Sequence, residues 1–269
     1  MNCKNLLSTR RAGVLCHITS LPGQQENGDL GPQAYKFVDF IAACGFSVWQ
    51  VLPLGPTHPD LSPYNLLSTH AGNPKLISLD WLVDRSWLDK STVTEFEAGP
   101  DGHRQACIYS AYSNFKKYST DSDKSSFEKF IKTHAYWLND YACFTVLRKK
   151  FKNNVWDSWP DYLRDRQTGY LEKLTPDERT EIEYVQFQQF VFFTQWSELK
   201  GYAINKGVVI IGDMPIFVAF DSSDVWSHQD LFSLDQDKKP ITVAGVPPDY
   251  FSESGQRWGN PQYNWEQHE

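Results

Sequence analysis

The chain has 269 residues, of which 41% are hydrophobic and 22% charged, as is ordinary for a soluble globular protein of one large or two small domains. Its formal net charge of −7 disfavours nucleic acid and anionic membranes as partners, because both would repel it. Five scattered cysteines without a C-x-x-C pair favour reduced thiols in a cytoplasmic protein, and no apolar run reaches the length of a membrane span. Seven histidines never pair at metal-ligand spacing, so no metal site is expected.

The first segment predicts a strand–helix–strand unit. Residues 13–18 form a nearly continuous apolar run, typical of a strand buried on both faces. Pro32 and Gly45 mark the first turn and the end of a helix, and residues 46–52 form the next strand. A right-handed parallel crossover is the expected connection.

Residues 81–206 read as mainly helical. Ser125 to Glu128 has a capping-box pattern, and one apolar face then continues through His134, which we interpret as a packed helix residue. Thr175 to Glu178 predicts a second helix start, with proline in the first turn. That helical pattern runs to Gly207.

A third strand is predicted at residues 208–212, directly after this helical segment. Residues 243–261 are rich in glycine, proline and aromatic residues and show no periodicity. Such a stretch within a domain is usually a functional loop or disordered, and its aromatic residues argue against disorder.

Polar residues follow the three predicted strands, where parallel α/β proteins bind ligands. They are His17 to Ser20, Ser62 to Tyr64 beyond the second strand, and Asp213. Asp213 is also explained by a capping or strand-end hydrogen bond, and Ser62 and Tyr64 by a plain surface turn. These alternatives stay open at this point.

Aromatic residues make up 15% of the chain, with 10 Trp, 13 Tyr and 17 Phe. Composition leaves two explanations equally open, namely flat faces for ligand stacking and an aromatic-rich core. Dinucleotide, P-loop, G-x-S-x-G and H-E-x-x-H motifs are absent from the sequence. A carboxylate with tyrosines, tryptophans and amides at strand ends suits sugars, which present apolar C–H faces and hydroxyl groups.

Seven sequence strings together resemble one family, the 4-α-glucanotransferases of glycoside hydrolase family 77, also known as amylomaltases or disproportionating enzymes. The strings follow the family order over nearly the whole chain, and the helical middle is the divergent part. They are HITSLPG (17–23), WQVLPLGPT (49–57), SPYN (62–65), AGNP (71–74), IIGDMPIFVA (210–219), DVWSHQDLF (224–232) and VAGVPPDYFSESGQRWGNP (243–261).

The resemblance implies an α/β fold, namely the N-terminal part, with the first three strands, of a (β/α)8 TIM barrel with a large helical insertion. Residues 1–80 would hold strands one and two with a donor-side loop, residues 81–206 the insertion, and residues 207–269 strand three with an aromatic substrate-covering loop. It also implies retaining transfer of α-1,4-glucan segments between maltooligosaccharides, with no cofactor. Oligomeric state is not implied.

The resemblance also assigns substrate-binding residues. It places Asp213 beside the scissile sugar, Ser62 and Tyr64 in a donor-side turn, and Tyr250 and Phe251 in a mobile loop over the cleft. The complete expected set is Ser62, Tyr64, Asp213, Asp249, Tyr250, Phe251, Gln256, Trp258 and Asn260. For Trp258 the alternative explanation is packing within its loop.

The family's nucleophile lies in an Arg-Ile-Asp-His-Phe-Arg-like motif on strand four, and no R-x-D-H sequence occurs in this chain. We therefore expect no catalytic carboxylate here, neither Asp213 nor Asp249, and interpret the chain as the N-terminal portion of a longer enzyme. Two alternatives remain, a non-catalytic glucan-binding module and an α-amylase-like retaining hydrolase. Asp213 is followed by Met-Pro rather than by that relative's Asn-His, which favours the transferase.

Overall fold

A computed structural model describes residues 10–23, 27–95 and 100–268 of the chain. The strands are β1 (Gly13–Leu15), β2 (Val48–Gln50), β3 (Val209–Ile211), β4 (Val243–Val246) and β5 (Gln256–Pro261). The helices are α1 (Pro32–Ala43), α2 (Leu79–Asp84), α3 (Lys90–Glu95), α4 (Pro100–Tyr118), α5 (Asp121–Thr133), α6 (Ala135–Lys150), α7 (Asp161–Arg164), α8 (Pro176–Asn205) and α9 (Ser223–Ser227).

The chain divides into two compact units. The first comprises Met1–Leu54, Gly72–Phe127 and Gln188–Asp213, and the second comprises Gly55–Ala71, Glu128–Phe187 and Met214–Glu269. Each unit therefore contains part of the helical middle of the sequence. The three consecutive segments expected from the sequence stay a prediction.

The first unit contains a parallel sheet in the order β1-β2-β3. One face of the sheet carries three aligned residues, Val14, Trp49 and Ile210. On this face Trp49 is fully buried, and its ring packs against Phe37 of α1 with centroids 5.0 Å apart. The adjacent row faces the other side, where Leu15 is 56% and Ile211 41% exposed. The parallel pairing was predicted correctly, but the prediction of strands buried on both faces is wrong for the described residues.

Helix boundaries agree with the sequence where proline and glycine mark them. Helix α1 begins at Pro32, and Gly45 beyond its end has a φ of +80°, which favours glycine. Helix α8 begins at Pro176, as predicted, and the structure adds a reciprocal capping box: the Thr175 amide donates to Glu178 Oε2 (2.7 Å) and the Glu178 amide to Thr175 Oγ1 (3.2 Å).

The predicted helix start at Ser125 is wrong. Helix α5 begins four residues earlier, because Thr120 and Asp123 form the capping box: the Asp123 amide donates to Thr120 Oγ1 (3.1 Å) and the Thr120 amide to Asp123 Oδ2 (3.2 Å). The apolar face predicted as one helix is divided at His134, which lies between α5 and α6. Its ring packs against Phe130, with centroids 4.5 Å apart, in agreement with its predicted packing role.

Residues 243–261 form an antiparallel hairpin rather than an irregular segment. Strands β4 and β5 pair with an irregularity between Val243 and Gly245. Gly255 precedes β5 with a φ of +72°, and a Cβ there would lie 2.5 Å from the Val246 carbonyl oxygen. Because glycines and a register irregularity interrupt the two-residue alternation, the strands leave no periodic signal in the sequence.

Most tryptophans with described burial belong to the core. In the second unit the rings of Trp159 and Trp226 lie 5.7 Å apart within a cluster that also contains Phe144 and Trp156. In the first unit Trp87 packs on Phe115 with centroids 4.8 Å apart. Core packing therefore accounts for much of the aromatic content, while a few aromatic side chains remain exposed.

The described cysteines are all free thiols, whereas Cys3 lies outside the described residues. Cys107 and Cys143 are buried, and burial raises the pKa of Cys143 to about 12. A thiol in such surroundings is a packing group rather than a nucleophile. Among the helices in the described ranges, none is both long enough and apolar enough to cross a membrane.

Two glutamines of α8 hold the buried irregular segment around residues 72–78. Gln189 accepts from the Gly72 amide (2.8 Å) and donates to the Gly72 carbonyl (2.9 Å). Gln195 does the same for Ser78, at 2.8 Å and 3.2 Å. Both glutamine side chains are fully buried, so each satisfies two backbone groups that are shielded from water.

We predict that Gln195→Ala lowers the free energy of unfolding by about 2–4 kcal/mol, because it removes both hydrogen bonds that the glutamine makes with the Ser78 backbone and opens a cavity. Urea unfolding followed by circular dichroism measures this loss. The matched control is Gln186→Ala on the same helix. The Gln186 side chain donates to Asn139 Oδ1 in an exposed hydrogen bond, so this substitution should cost about 0.5 kcal/mol or less. Equal losses in the two variants would contradict the prediction.

Candidate functional site

The structure places Asp213 and the other eight predicted residues in different units. Asp213 follows β3 in the first unit and is exposed. The second unit holds the rest on two features, a turn around Ser62 and Tyr64 and the β4–β5 hairpin. These two features contain all the predicted residues that the structure groups within one unit.

The turn around Ser62 is organised by its own side chains. Asp60 accepts from the Ser62 amide (3.2 Å) and from Asn65 Nδ2 (2.8 Å), and the Asn65 hydrogen bond is the main reason that the Asp60 pKa is lowered. Ser62 Oγ in turn accepts from the Tyr64 amide (3.3 Å). Leu61 has a φ of +57°, a strained value for this residue type. Tyr64 is 46% exposed, so the turn presents an aromatic ring partly to solvent.

This turn is anchored by an ion pair that the sequence did not reveal. His58 Nε2 lies 2.9 Å from the Asp221 carbonyl oxygen, so the imidazole donates. The Asp221 carboxylate accepts through Oδ2 from Arg148 Nε (3.0 Å) and Nη2 (2.9 Å), and both side chains are largely buried. No local motif joins these three residues, which are far apart in sequence, and only the fold brings them together.

Burial is the main cause of a lowered His58 pKa. The positive charge of Arg148 lowers this pKa further, whereas the Asp221 carboxylate raises it. The neutral imidazole is therefore favoured in the folded chain. Asp221 uses Oδ2 for the arginine, and its Oδ1 is buried without a hydrogen-bond partner among the residues that the structure describes. A buried, unpaired oxygen costs free energy, which makes the arginine contact essential for this carboxylate.

The hairpin loop projects two aromatic side chains from a turn that Asp249 stabilises by hydrogen bonds. Asp249 Oδ1 accepts from the amides of Phe251 (2.9 Å) and Ser252 (2.8 Å). Tyr250 is 96% and Phe251 89% exposed, and their rings meet edge to face with centroids 5.6 Å apart. Such exposure of adjacent aromatic residues is costly without a ligand or partner. Asp249 thus shapes the loop, while Tyr250 and Phe251 are available for contact.

Strand β5 carries the remaining predicted residues. Gln256 and Trp258, two positions apart, share one face, and the indole Nε1 donates to Gln256 Oε1 (3.0 Å). Trp258 is 52% exposed, so about half of its surface is accessible to a ligand. Asn260 instead donates to the Val218 carbonyl (2.9 Å), which gives it a structural role in addition to any contact with substrate.

These features suit a ligand with both flat apolar faces and hydroxyl groups. Exposed rings at Tyr250, Phe251 and Trp258 provide faces, and the Gln256 amide provides polar contacts beside one of them. Asp249 already accepts two backbone hydrogen bonds, which favours its role as a turn residue over that of a nucleophile. In the described ranges no three metal-ligating side chains come together.

We predict a pH-dependent stability contribution from His58. Because its folded pKa is lowered, the unfolded chain binds the proton more readily, and the free energy of unfolding falls as pH drops below about 6.5 towards the folded pKa. His58→Gln keeps a donor but cannot titrate, so its stability should fall less than that of wild type between about pH 7.5 and about pH 5.5.

Thermal unfolding of both proteins at the two pH values tests this prediction. His228→Gln is the control, since it removes an exposed histidine outside the anchor. Parallel changes in wild type and His58→Gln would contradict the proposed titration.

Comparison with known proteins gives consistent results. The family profile described as 4-alpha-glucanotransferase matches residues 16–269. The 4-alpha-glucanotransferase of Aquifex aeolicus is 40% identical over 97% of this chain and 54% of its own length. The Thermus thermophilus enzyme is 42% identical over 96% of this chain and 52% of its own length. The potato enzyme, chloroplastic/amyloplastic, is 39% identical over 95% of this chain and 46% of its own length.

Solved structures agree with these sequence matches. Amylomaltase from Streptococcus agalactiae, in complex with acarbose, superposes with a TM-score of 0.90 at 38% identity, covering 96% of this chain and 54% of that one. Amylomaltase from Corynebacterium glutamicum shares the fold, with a TM-score of 0.74 at 16% identity. That match covers 97% of this chain and 37% of the other. The chain spans about half the length of these curated relatives. It belongs to the 4-α-glucanotransferase family, glycoside hydrolase family 77.

Proposed function

We propose that this chain is the N-terminal, glucan-binding portion of a 4-α-glucanotransferase that moves α-1,4-glucan segments between maltooligosaccharides. The observation that carries the proposal is the hairpin with its three exposed aromatic residues, Tyr250, Phe251 and Trp258. Family membership supports it, as does the acarbose complex of the similar streptococcal amylomaltase. Aromatic faces beside fixed amides are the chemistry that glucose units require.

Each predicted residue takes a role consistent with its surroundings. Tyr250 and Phe251 cover the bound glucan and limit the access of water, which favours transfer over hydrolysis. Trp258 stacks on a sugar ring, and Gln256 and Asn260 contact hydroxyl groups. Ser62 and Tyr64 bind on the donor side, Asp213 lies beside the scissile sugar, and Asp249 shapes the aromatic loop.

Retaining transfer needs a carboxylate nucleophile, a covalent glucosyl intermediate and a second carboxyl group that acts as acid and then as base. We propose that these groups belong to a further part of the enzyme. Supporting this, the chain matches about half of its relatives' length, and Asp249 is engaged in a turn. The sequence contains no R-x-D-H motif.

We also propose that β1, β2 and β3 are the first three strands of a (β/α)8 barrel, with residues 81–206 as an insertion between the second and third. The three strands are parallel and adjacent in chain order, as a barrel requires. The exposed row that contains Leu15 and Ile211 would face the interior of the closed barrel, where apolar side chains pack in layers.

A non-catalytic glucan-binding module is the second candidate, favoured by the structural engagement of Asp60 and Asp249. Incubation with maltotriose distinguishes these two candidates from a complete transferase and from a hydrolase. Binding without turnover by this chain supports a glucan-binding portion or module, glucose plus longer oligomers indicates a complete transferase, and glucose with maltose alone indicates a hydrolase. We expect binding without turnover.

We predict that Trp258→Ala weakens maltotriose binding by roughly 1–3 kcal/mol, because the variant loses an exposed stacking face. Isothermal titration calorimetry measures the change. Tyr118→Ala, which removes a 75%-exposed ring from the end of α4, is the matched control and should bind as wild type does. An unaltered dissociation constant in Trp258→Ala would rule out the stacking role.

A further inference from the structure

A cavity with a mixed aromatic and polar lining lies within the second unit. Its volume is about 340 Å³, within the usual range for small-ligand sites. None of the nine residues predicted to bind substrate lines it. The lining includes Thr69, His70, Tyr136, Trp137, Asp224, His228 and His268.

One part of the lining consists of the rings of His70, Tyr136 and Trp137, and His70 contacts the other two. The His70 ring stacks on Trp137, with centroids 6.0 Å apart and planes inclined by 19°. The Tyr136 ring meets His70 edge to face at 5.7 Å and 86°. Trp137 is buried, whereas Tyr136 is 65% exposed and so has ring surface available to a ligand.

Asp224 is the negatively charged group in this lining. Its Oδ2 accepts from the Thr69 amide (3.1 Å) and its Oδ1 from Thr69 Oγ1 (2.6 Å). A carboxylate has about four acceptor positions, and Thr69 uses one on each oxygen. The remaining positions match two neighbouring hydroxyl groups, which can each donate one hydrogen bond.

Hydrogen bonds also determine the tautomers of two histidines in the lining. Ser227 Oγ donates its proton to the Ser223 carbonyl (2.6 Å). His228 Nδ1 lies 2.7 Å from the same Oγ and must therefore donate to it. His268 Nε2 lies 3.1 Å from the Leu231 carbonyl and donates there. In the neutral rings, His228 Nε2 and His268 Nδ1 are therefore acceptors, which again suits hydroxyl donors.

We propose that this cavity binds a pyranose unit of an α-glucan, as a second sugar-binding site of the chain. A hydroxyl-rich ring satisfies the Asp224 carboxylate and the imidazole acceptors while an apolar face of the ring rests on Tyr136. An anion would be repelled by Asp224, and a purely apolar ligand would desolvate that carboxylate without replacing its hydrogen bonds. The choice of glucan as the sugar rests on the proposed function.

Titration with maltotriose tests the proposal, using wild type, Tyr136→Ala, Trp258→Ala and the control Tyr118→Ala. Wild type should bind about two maltotriose molecules per chain. Tyr136→Ala should weaken one of these sites by about tenfold and leave the Trp258 site unchanged, since about 1.4 kcal/mol corresponds to tenfold. Tyr136→Phe keeps the ring, should bind as wild type does, and shows that any loss comes from the missing ring.

Asp224→Asn is the second variant, because it tests the polar part of the lining while retaining side-chain volume. It should weaken the same site, and circular dichroism would verify its fold. Normal two-site binding by both Tyr136→Ala and Asp224→Asn would overturn the cavity site.

The two proposals fail differently in these titrations. One site that is lost in Trp258→Ala and untouched in Tyr136→Ala supports the proposed function and overturns the second site. One site lost in Tyr136→Ala and untouched in Trp258→Ala supports the cavity and removes the proposed role of Trp258. Wild type that binds no maltotriose overturns both.

Discussion

Buried backbone groups in loops and at helix ends need hydrogen-bond partners, and in this chain long polar or aromatic side chains supply several of them. Trp49 donates to the Cys16 carbonyl (2.8 Å), Trp156 to Phe220 (2.8 Å) and Trp226 to Leu163 (3.0 Å). Gln189 and Gln195 satisfy Gly72 and Ser78 in the same way. The strands of the parallel sheet are only three residues long, so backbone groups beyond their ends, such as the Cys16 carbonyl, need partners of this kind.

This requirement explains the high tryptophan content better than ligand binding does. A buried indole fills a large volume and also donates one hydrogen bond, so it can both pack in a core and hold a loop carbonyl. Exposed rings are a minority, and Tyr250, Phe251 and Trp258 stand out because they lie close together along the β4–β5 hairpin. Exposure, rather than abundance, identifies the aromatic residues available to a sugar.

Acidic residues show a similar division. Asp60 and Asp249 accept backbone amides within turns, and Asp221 pairs with Arg148 beneath the Ser62 turn. These carboxylates shape surfaces that would contact a glucan, and their hydrogen bonds favour that role over bond breaking. The glucan-binding proposal thus relies on aromatic faces and amides, while the chemistry of transfer is assigned to other carboxylates.

The sequence by itself determined the family, the order of strand, helix and strand, and the boundaries of α1 and α8, because motifs and terminal residues such as Pro32 and Thr175 act locally. It did not reveal the β4–β5 hairpin, the earlier start of α5 or the exposed row of the sheet. Only the tertiary structure decided which aromatic residues are buried and brought His58, Arg148 and Asp221 together. Burial and pairing between distant residues depend on the whole packing arrangement, and no local pattern encodes them.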